Sequence, residues 1–199
     1  MMGLSEVRHT AARWSTSGLA SLLAKAGATP NALTVMGFLI SVAAAVVVGK
    51  EYLLVGGVLV LFSGAFDLLD GPVARASGKA TTFGAVLDSV CDRLGEAAVL
   101  LGVLVLYLHR DAFWEPVLVY STLVGSVLVS YIRARAEGLG LACEVGVFTR
   151  AERVVVLTLG LFLGEWIDTA LPVALGVLTA LTFLTVGQRL VHVWRISRD

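Results

Sequence analysis

Between Phe66 and Glu96 the chain reads FDLLDGPVARASGKATTFGAVLDSVCDRLGE, which sets Asp67, Asp70, Asp88 and Asp92 in otherwise apolar surroundings. Asp67 and Asp70 stand three residues apart and Asp88 and Asp92 four, so on helices each pair shares one face, about one turn apart. Two such pairs can converge into one all-oxygen cluster. Left alone, four carboxylates repel one another, and an ion at a low-dielectric boundary is costly. Divalent cations relieve this: oxygen-only ligation favours magnesium, manganese or calcium over zinc, and two such ions balance four carboxylates. A charge-balanced pair of that kind can hold a diphosphate, with Arg75 offering bidentate contacts to phosphate oxygens. Gly71 and Gly84 remove side chains beside the two pairs and let a backbone or a ligand come close.

The elements that must carry these residues are membrane helices. A chain of 199 residues that is 57% hydrophobic and only 15% charged is too apolar for an ordinary soluble domain, and its mean hydropathy is +0.88. The formal net charge of zero gives no argument for a nucleic-acid partner; the partner to expect is membrane lipid. Apolar runs long enough to cross about 30 Å of hydrocarbon occur near Leu33–Val48, Leu53–Ala74, Phe83–Leu108, Pro116–Ala136, Val154–Ile167 and Leu171–Val193. The first and fifth are short and should extend into their polar flanks. The fold class is therefore all-α and integral to the membrane, with six transmembrane helices forming one domain over residues 29–199. Residues 1–28 read as an amphipathic helix lying in the interface: Arg8, Arg13, Trp14 and Lys25 alternate with Leu19, Leu22 and Leu23. No compact apolar core precedes a small-residue cleavage site, so a cleaved signal peptide is not expected.

Short connections and charge then orient the helices. Only Ala76 to Thr82 joins the second and third runs, which makes them antiparallel neighbours and brings the two aspartate pairs together. Of the fifteen lysines and arginines, only Lys50 and Arg110 fall on one side of the membrane, so both termini and the aspartates should be cytoplasmic, at the plasma membrane.

Asp67, Asp70, Gly71, Ala74, Arg75, Gly84, Asp88 and Asp92 stand at the spacing D-x2-D-G-x2-A-R-x8-G-x3-D-x3-D. This resembles the signature of the CDP-alcohol phosphotransferases at all eight fixed positions. TPNALTVMG, Thr29 to Gly37, is similar to that family's entry into its first membrane helix. The resemblance implies transfer of a phosphatidyl group from CDP-diacylglycerol to an alcohol with release of CMP, assisted by two magnesium ions, or manganese. By similarity Asp67, Asp70, Asp88 and Asp92 would ligate metal, and Asp92 would also take the proton of the attacking hydroxyl. Gly71, Arg75 and Thr81 would contact the CDP moiety together with Asn31, Ala32, Leu33 and Thr34.

The acceptor turns on basic residues beyond the signature. SYIRARAEGLGL (Ser130–Leu141), TRAER (Thr149–Arg153) and QRLVHVWR (Gln188–Arg195) resemble stretches of the family's actinobacterial branch that makes phosphatidylinositol phosphate. That implies an inositol phosphate acceptor, 1D-myo-inositol 3-phosphate, with its phosphate cradled by Arg133, Arg153 and Arg189, and Arg135 and Arg150 as weaker candidates. The alternative acceptor is glycerol 3-phosphate, as in a phosphatidylglycerol phosphate synthase, because it too needs a basic pocket. The resemblance also implies a homodimer.

Plainer readings stand beside these. Buried acids can serve a small cation or proton transporter, but a transporter needs them along a path, not gathered at one face with a phosphate-binding arginine. Cytoplasmic arginines such as Arg195 and Arg198 serve as topology anchors, Arg93 suits an ion pair with Glu96 or Glu152, and Glu137 and Glu152 suit holding neighbouring arginines in place. His9, His109 and His192 lack metal-ligand spacing, Trp14, Trp114, Trp166 and Trp194 suit an interfacial belt, and Cys91 and Cys143 suit buried structural thiols.

Overall fold

The computed structural model describes Gly18, Leu22, Leu23 and residues 27–198. The expected interfacial helix over residues 1–28 falls almost wholly outside them. Six helices follow, with no strand among the described residues: α1 (Pro30–Gly49), α2 (Leu53–Ser77), α3 (Thr82–His109), α4 (Trp114–Glu137), α5 (Arg150–Gly164) and α6 (Ala170–Ile196).

Local chemistry sets the helix starts. Pro30 occupies the first position of α1, where its missing N–H is no loss, and the Ala32 N–H reaches the Thr29 hydroxyl at 3.3 Å. Thr81 caps α3 likewise, accepting the Gly84 N–H at 2.9 Å. The α2–α3 link turns at Gly78, whose φ of +63° is the left-handed region that glycine enters at low cost. α5 starts earlier than hydropathy suggests, because the Glu152 carboxylate accepts the Thr149 N–H at 2.7 Å and also its hydroxyl, closing the first turn on Arg150.

Four helices, α1, α2, α4 and α6, are long and apolar enough to cross a membrane. Their outward side chains, among them Leu39, Val46, Phe62 and Leu184, are apolar too, as a lipid-facing surface requires. α3 carries Asp88, Asp92, Arg93 and Glu96, and α5 has only 15 residues. At 1.5 Å per residue α5 alone covers about 22 Å.

The described chain divides into two compact units. The first holds residues up to Val42 together with Leu61–Glu96, and so contains all four aspartates. Its packing is partly polar: Ser63 donates to the Gly37 carbonyl at 2.9 Å and shares a 2.7 Å hydrogen bond with Ser41, while Leu33 and Val73 form a small apolar cluster with Phe66. The second unit holds Ala43–Val60 and the chain from Ala97 onward. There α6 packs on α4 and α5, around a core that includes Val103, Leu106, Leu161, Leu175 and Leu178. Backbones touch at Gly102, where an added Cβ would stand 2.3 Å from the Ala45 carbonyl oxygen. In the turns, Arg110 pairs with Glu51 at 2.9 Å.

Candidate active site

Within the first unit Asp70 of α2 and Asp88 of α3 come together. Asp70 is 7% exposed; its Oδ2 accepts the Thr34 hydroxyl at 2.9 Å and its Oδ1 the Gly71 N–H at 2.6 Å. The charge that acts on it is Asp88, close enough for the two carboxyl groups to share a hydrogen bond. Asp67, Asp88 and Asp92 all lie close enough to the buried thiol of Cys91 for their charges to act on it. Asp67 also approaches α1: a Cβ on Gly37 would stand 2.9 Å from its Oδ1.

A cavity of about 230 Å³ opens beside the cluster. Asn31 and Thr34 of α1, Asp70, Gly71, Ala74 and Arg75 of α2, Lys79 and Thr81 of the link, and Gly84 and Asp88 of α3 wall it. Gly84 keeps its wall open, since a Cβ there would crowd the Thr81 hydroxyl at 3.0 Å and Asn31 Oδ1 at 3.1 Å. The Arg75 guanidinium folds back over Gly71, 3.5 Å from where a Cβ would be. Two residues of the Asn31–Thr34 segment point elsewhere: Ala32 is exposed and Leu33 is buried against Val73. Lys79, which by sequence reads only as a topology marker, is a wall residue; its place two residues from Thr81 is the one signal of that.

Whether a metal fits can be judged from these donors. Two facing carboxylates, one of them buried, have no cationic partner in an ion pair among the described residues. The donor set is hard oxygen throughout, which suits magnesium or manganese. As the side chains stand, no three acid, imidazole or thiol groups among the described residues are drawn together tightly enough to hold an ion.

The second unit gathers the arginines named for the acceptor. Arg133 of α4 and Arg153 of α5 lie near enough to Arg189 of α6 for their charges to act on it. Arg153 and Arg189 are each 4% exposed. Arg189 donates Nε to the Val145 carbonyl at 2.9 Å and Nη1 to the Val129 carbonyl. Arg133 is exposed and paired with Glu137 at 2.8 Å. Glu152 caps its own helix, and Arg153 lies near enough to attract it. Arg93 donates to the Ser89 carbonyl one turn back.

The model of one protein family, the CDP-alcohol phosphatidyltransferases, matches residues 28–186. The chain belongs to the CDP-alcohol phosphatidyltransferase family. As such it is a membrane-embedded transferase, and the transporter reading is set aside. A phosphatidylinositol phosphate synthase of Mycobacterium marinum is 42% identical over 192 residues, covering 90% of this chain and 79% of that one. An archaetidylinositol phosphate synthase of Methanothermobacter thermautotrophicus is 37% identical over 164 residues, 82% of each chain. The crystal structure of Mycobacterium tuberculosis phosphatidylinositol phosphate synthase with CDP-DAG bound matches with a TM-score of 0.83 at 35% identity, covering 90% of this chain and 93% of that one. The same enzyme in complex with manganese and citrate matches with a TM-score of 0.82 at 35% identity, covering 90% and 88%.

Proposed function

We propose that this CDP-alcohol phosphatidyltransferase is a phosphatidylinositol phosphate synthase, which transfers the phosphatidyl group of CDP-diacylglycerol to 1D-myo-inositol 3-phosphate and releases CMP. The observation that carries the acceptor is the gathering of Arg133, Arg153 and Arg189 from three helices, a concentration of positive charge that a phosphorylated alcohol needs and serine or free inositol does not.

The donor's cytidine diphosphate takes the cavity walled by Asn31, Thr34, Gly71, Arg75, Thr81 and Gly84, where Arg75 and Lys79 meet its phosphate oxygens. Asp67, Asp70, Asp88 and Asp92 would hold two divalent ions, magnesium or manganese, whose chemistry when bound is to neutralise the diphosphate and the departing CMP. The acceptor hydroxyl attacks the phosphorus that bears the lipid; a P–O bond forms there as the bond to the CMP oxygen breaks, and CMP leaves with the electron pair. Asp92 takes the hydroxyl's proton, so both partners end balanced and no covalent enzyme intermediate is needed. Arg153 and Arg189 hold the acceptor's phosphate, and Arg133 joins them on exchanging Glu137 for it.

The reading includes six spans: to the four helices long and apolar enough to cross a membrane it adds α3, which carries Asp88, Asp92, Arg93 and Glu96, and α5, which has only 15 residues. It also includes a cytoplasmic active site at the plasma membrane, an interfacial helix over residues 1–28 and a homodimer. The deciding experiment measures CMP release by the purified protein with magnesium and CDP-diacylglycerol, comparing inositol phosphate, glycerol 3-phosphate, inositol and serine. Release with inositol phosphate alone is expected. Release with glycerol 3-phosphate alone would make it a phosphatidylglycerol phosphate synthase, and release with a neutral alcohol would remove the arginines from the pocket.

A further inference from the structure

The segment from 138 to 149, between α4 and α5, has no helix or strand of its own and yet is fastened along its length to one short stretch of α6. Gln188 Oε1 accepts the Val147 N–H at 3.2 Å. Arg189 donates to the carbonyls of Val145 and Val129. His192 Nε2 donates to the Ala142 carbonyl at 3.2 Å. The backbone is pressed close: Gly146 sits at φ +128°, and a Cβ there would stand 2.6 Å from Thr185 Cγ2. Within the segment, Cys143 and Phe148 are buried. Water satisfies the backbone groups of an ordinary surface connection, so three side chains from one helix are more than joining α4 to α5 requires.

The segment ends at Thr149, where Glu152 closes the cap and α5 begins with Arg150. Where the segment lies therefore decides where α5 begins, and Arg153, in its first turn, is near enough for its charge to act on Arg189. We infer that Gln188 and His192 are positioning residues for the acceptor's phosphate. They clamp the 138–149 segment on α6, and so set Arg153 and Arg189 at the separation at which both reach one phosphate. The inference rests on the arginine cluster being the acceptor site proposed above. Neither residue touches the reacting atoms, so the clamp acts on acceptor binding and not on the chemical step, and it leaves the CDP cavity of the other unit alone.

The test uses the full chain in lipid nanodiscs, varying acceptor and CDP-diacylglycerol separately, with whichever phosphorylated alcohol the wild type accepts. An error in the acceptor's identity is then read in the wild type and an error in this inference in the variants. Gln188→Leu removes the accepting oxygen and should raise the acceptor KM by up to about tenfold, the upper end for one lost hydrogen bond. Its kcat and CDP-diacylglycerol KM should stay within about twofold. Gln188→Glu keeps an accepting oxygen and should bring the acceptor KM back to within about threefold of wild type. His192→Phe should raise the acceptor KM, and His192→Gln, which retains a donor, should restore it. Hydrogen exchange across residues 138–149 should quicken in Gln188→Leu and not in Gln188→Glu. A wild-type acceptor KM in Gln188→Leu overturns the inference. So does a parallel worsening of both substrates' parameters that Gln188→Glu fails to rescue, which is what a merely structural role would give.

Discussion

The Thr34 hydroxyl on α1 donates to the buried carboxylate of Asp70 on α2 at 2.9 Å, fixing one aspartate of the cluster from a helix that carries none of them. With the Gly71 N–H on its other oxygen, Asp70 is held in one orientation toward Asp88. Removing the hydroxyl while keeping the shape should loosen metal binding, as loss of a group that orients a ligand generally does. Thr34→Val is expected to raise the magnesium concentration for half-maximal CMP release about 10–100-fold, and Thr34→Ser to restore it. A magnesium titration of the three proteins checks this, and coincident curves would reject the role.

Asp92 is assigned two duties, metal ligation and proton acceptance, and both call on its carboxylate. Asp92→Asn keeps the size of the side chain but cannot accept the hydroxyl's proton. CMP release should fall by at least about 10²–10⁴-fold, while the protein remains monodisperse in gel filtration. Turnover near wild type would rule Asp92 out as the base.

Arg153 is 4% exposed at the start of α5, and its charge reaches Arg189. Arg153→Gln should raise the acceptor KM by about 10–100-fold, the range for losing a charge-assisted hydrogen bond to phosphate, with the CDP-diacylglycerol KM unchanged. Steady-state kinetics in each substrate decide between this and a rise in both constants, which would mean that Arg153 serves the fold.

Two glycines in the second unit should respond oppositely to the same change. At Gly102 a Cβ would meet the Ala45 carbonyl oxygen at 2.3 Å, whereas at Gly176 nothing lies within 4 Å. Gly102→Ala is expected to cost about 1–3 kcal/mol and to lower Tm by roughly 2–12 °C. Gly176→Ala should leave Tm level or raise it, since alanine favours the helix. Thermal unfolding in one detergent checks the pair; equal shifts would mean that the close approach at Gly102 is not what holds those backbones together.

Much of the fold was legible because apolar length is a local property. Each of the six runs read from hydropathy corresponds to a helix, and the largest displacement, at α5, has a stated cause. Hydropathy alone places the run at Val154–Ile167, but the Thr149–Glu152 cap starts the helix at Arg150, and it ends at Gly164. Just beyond that end, the Glu165 side chain accepts the Leu54 N–H at 3.0 Å. Lys79 and His192 were harder to read, because a basic or polar residue near a span end has a sufficient explanation in topology. Only the cavity wall beside Thr81 and the bond to Ala142 give them further work.

By itself, the sequence determined that the chain is a membrane helix protein and that its four aspartates form two one-turn pairs on neighbouring helices. It also determined that its motif is that of the CDP-alcohol phosphatidyltransferases. These follow from apolar run length, from the 3.6-residue helical period and from fixed spacings, all readable within a few tens of residues. The tertiary structure alone decided that Thr34 orients Asp70, that Asp70 faces Asp88 across two helices, and that Arg189 is anchored on the carbonyls of Val129 and Val145. Those contacts join residues up to 60 positions apart. They depend on which helix faces meet, and that is set by the close packing of whole helices, at glycines such as Gly102 and Gly160, which no local period encodes.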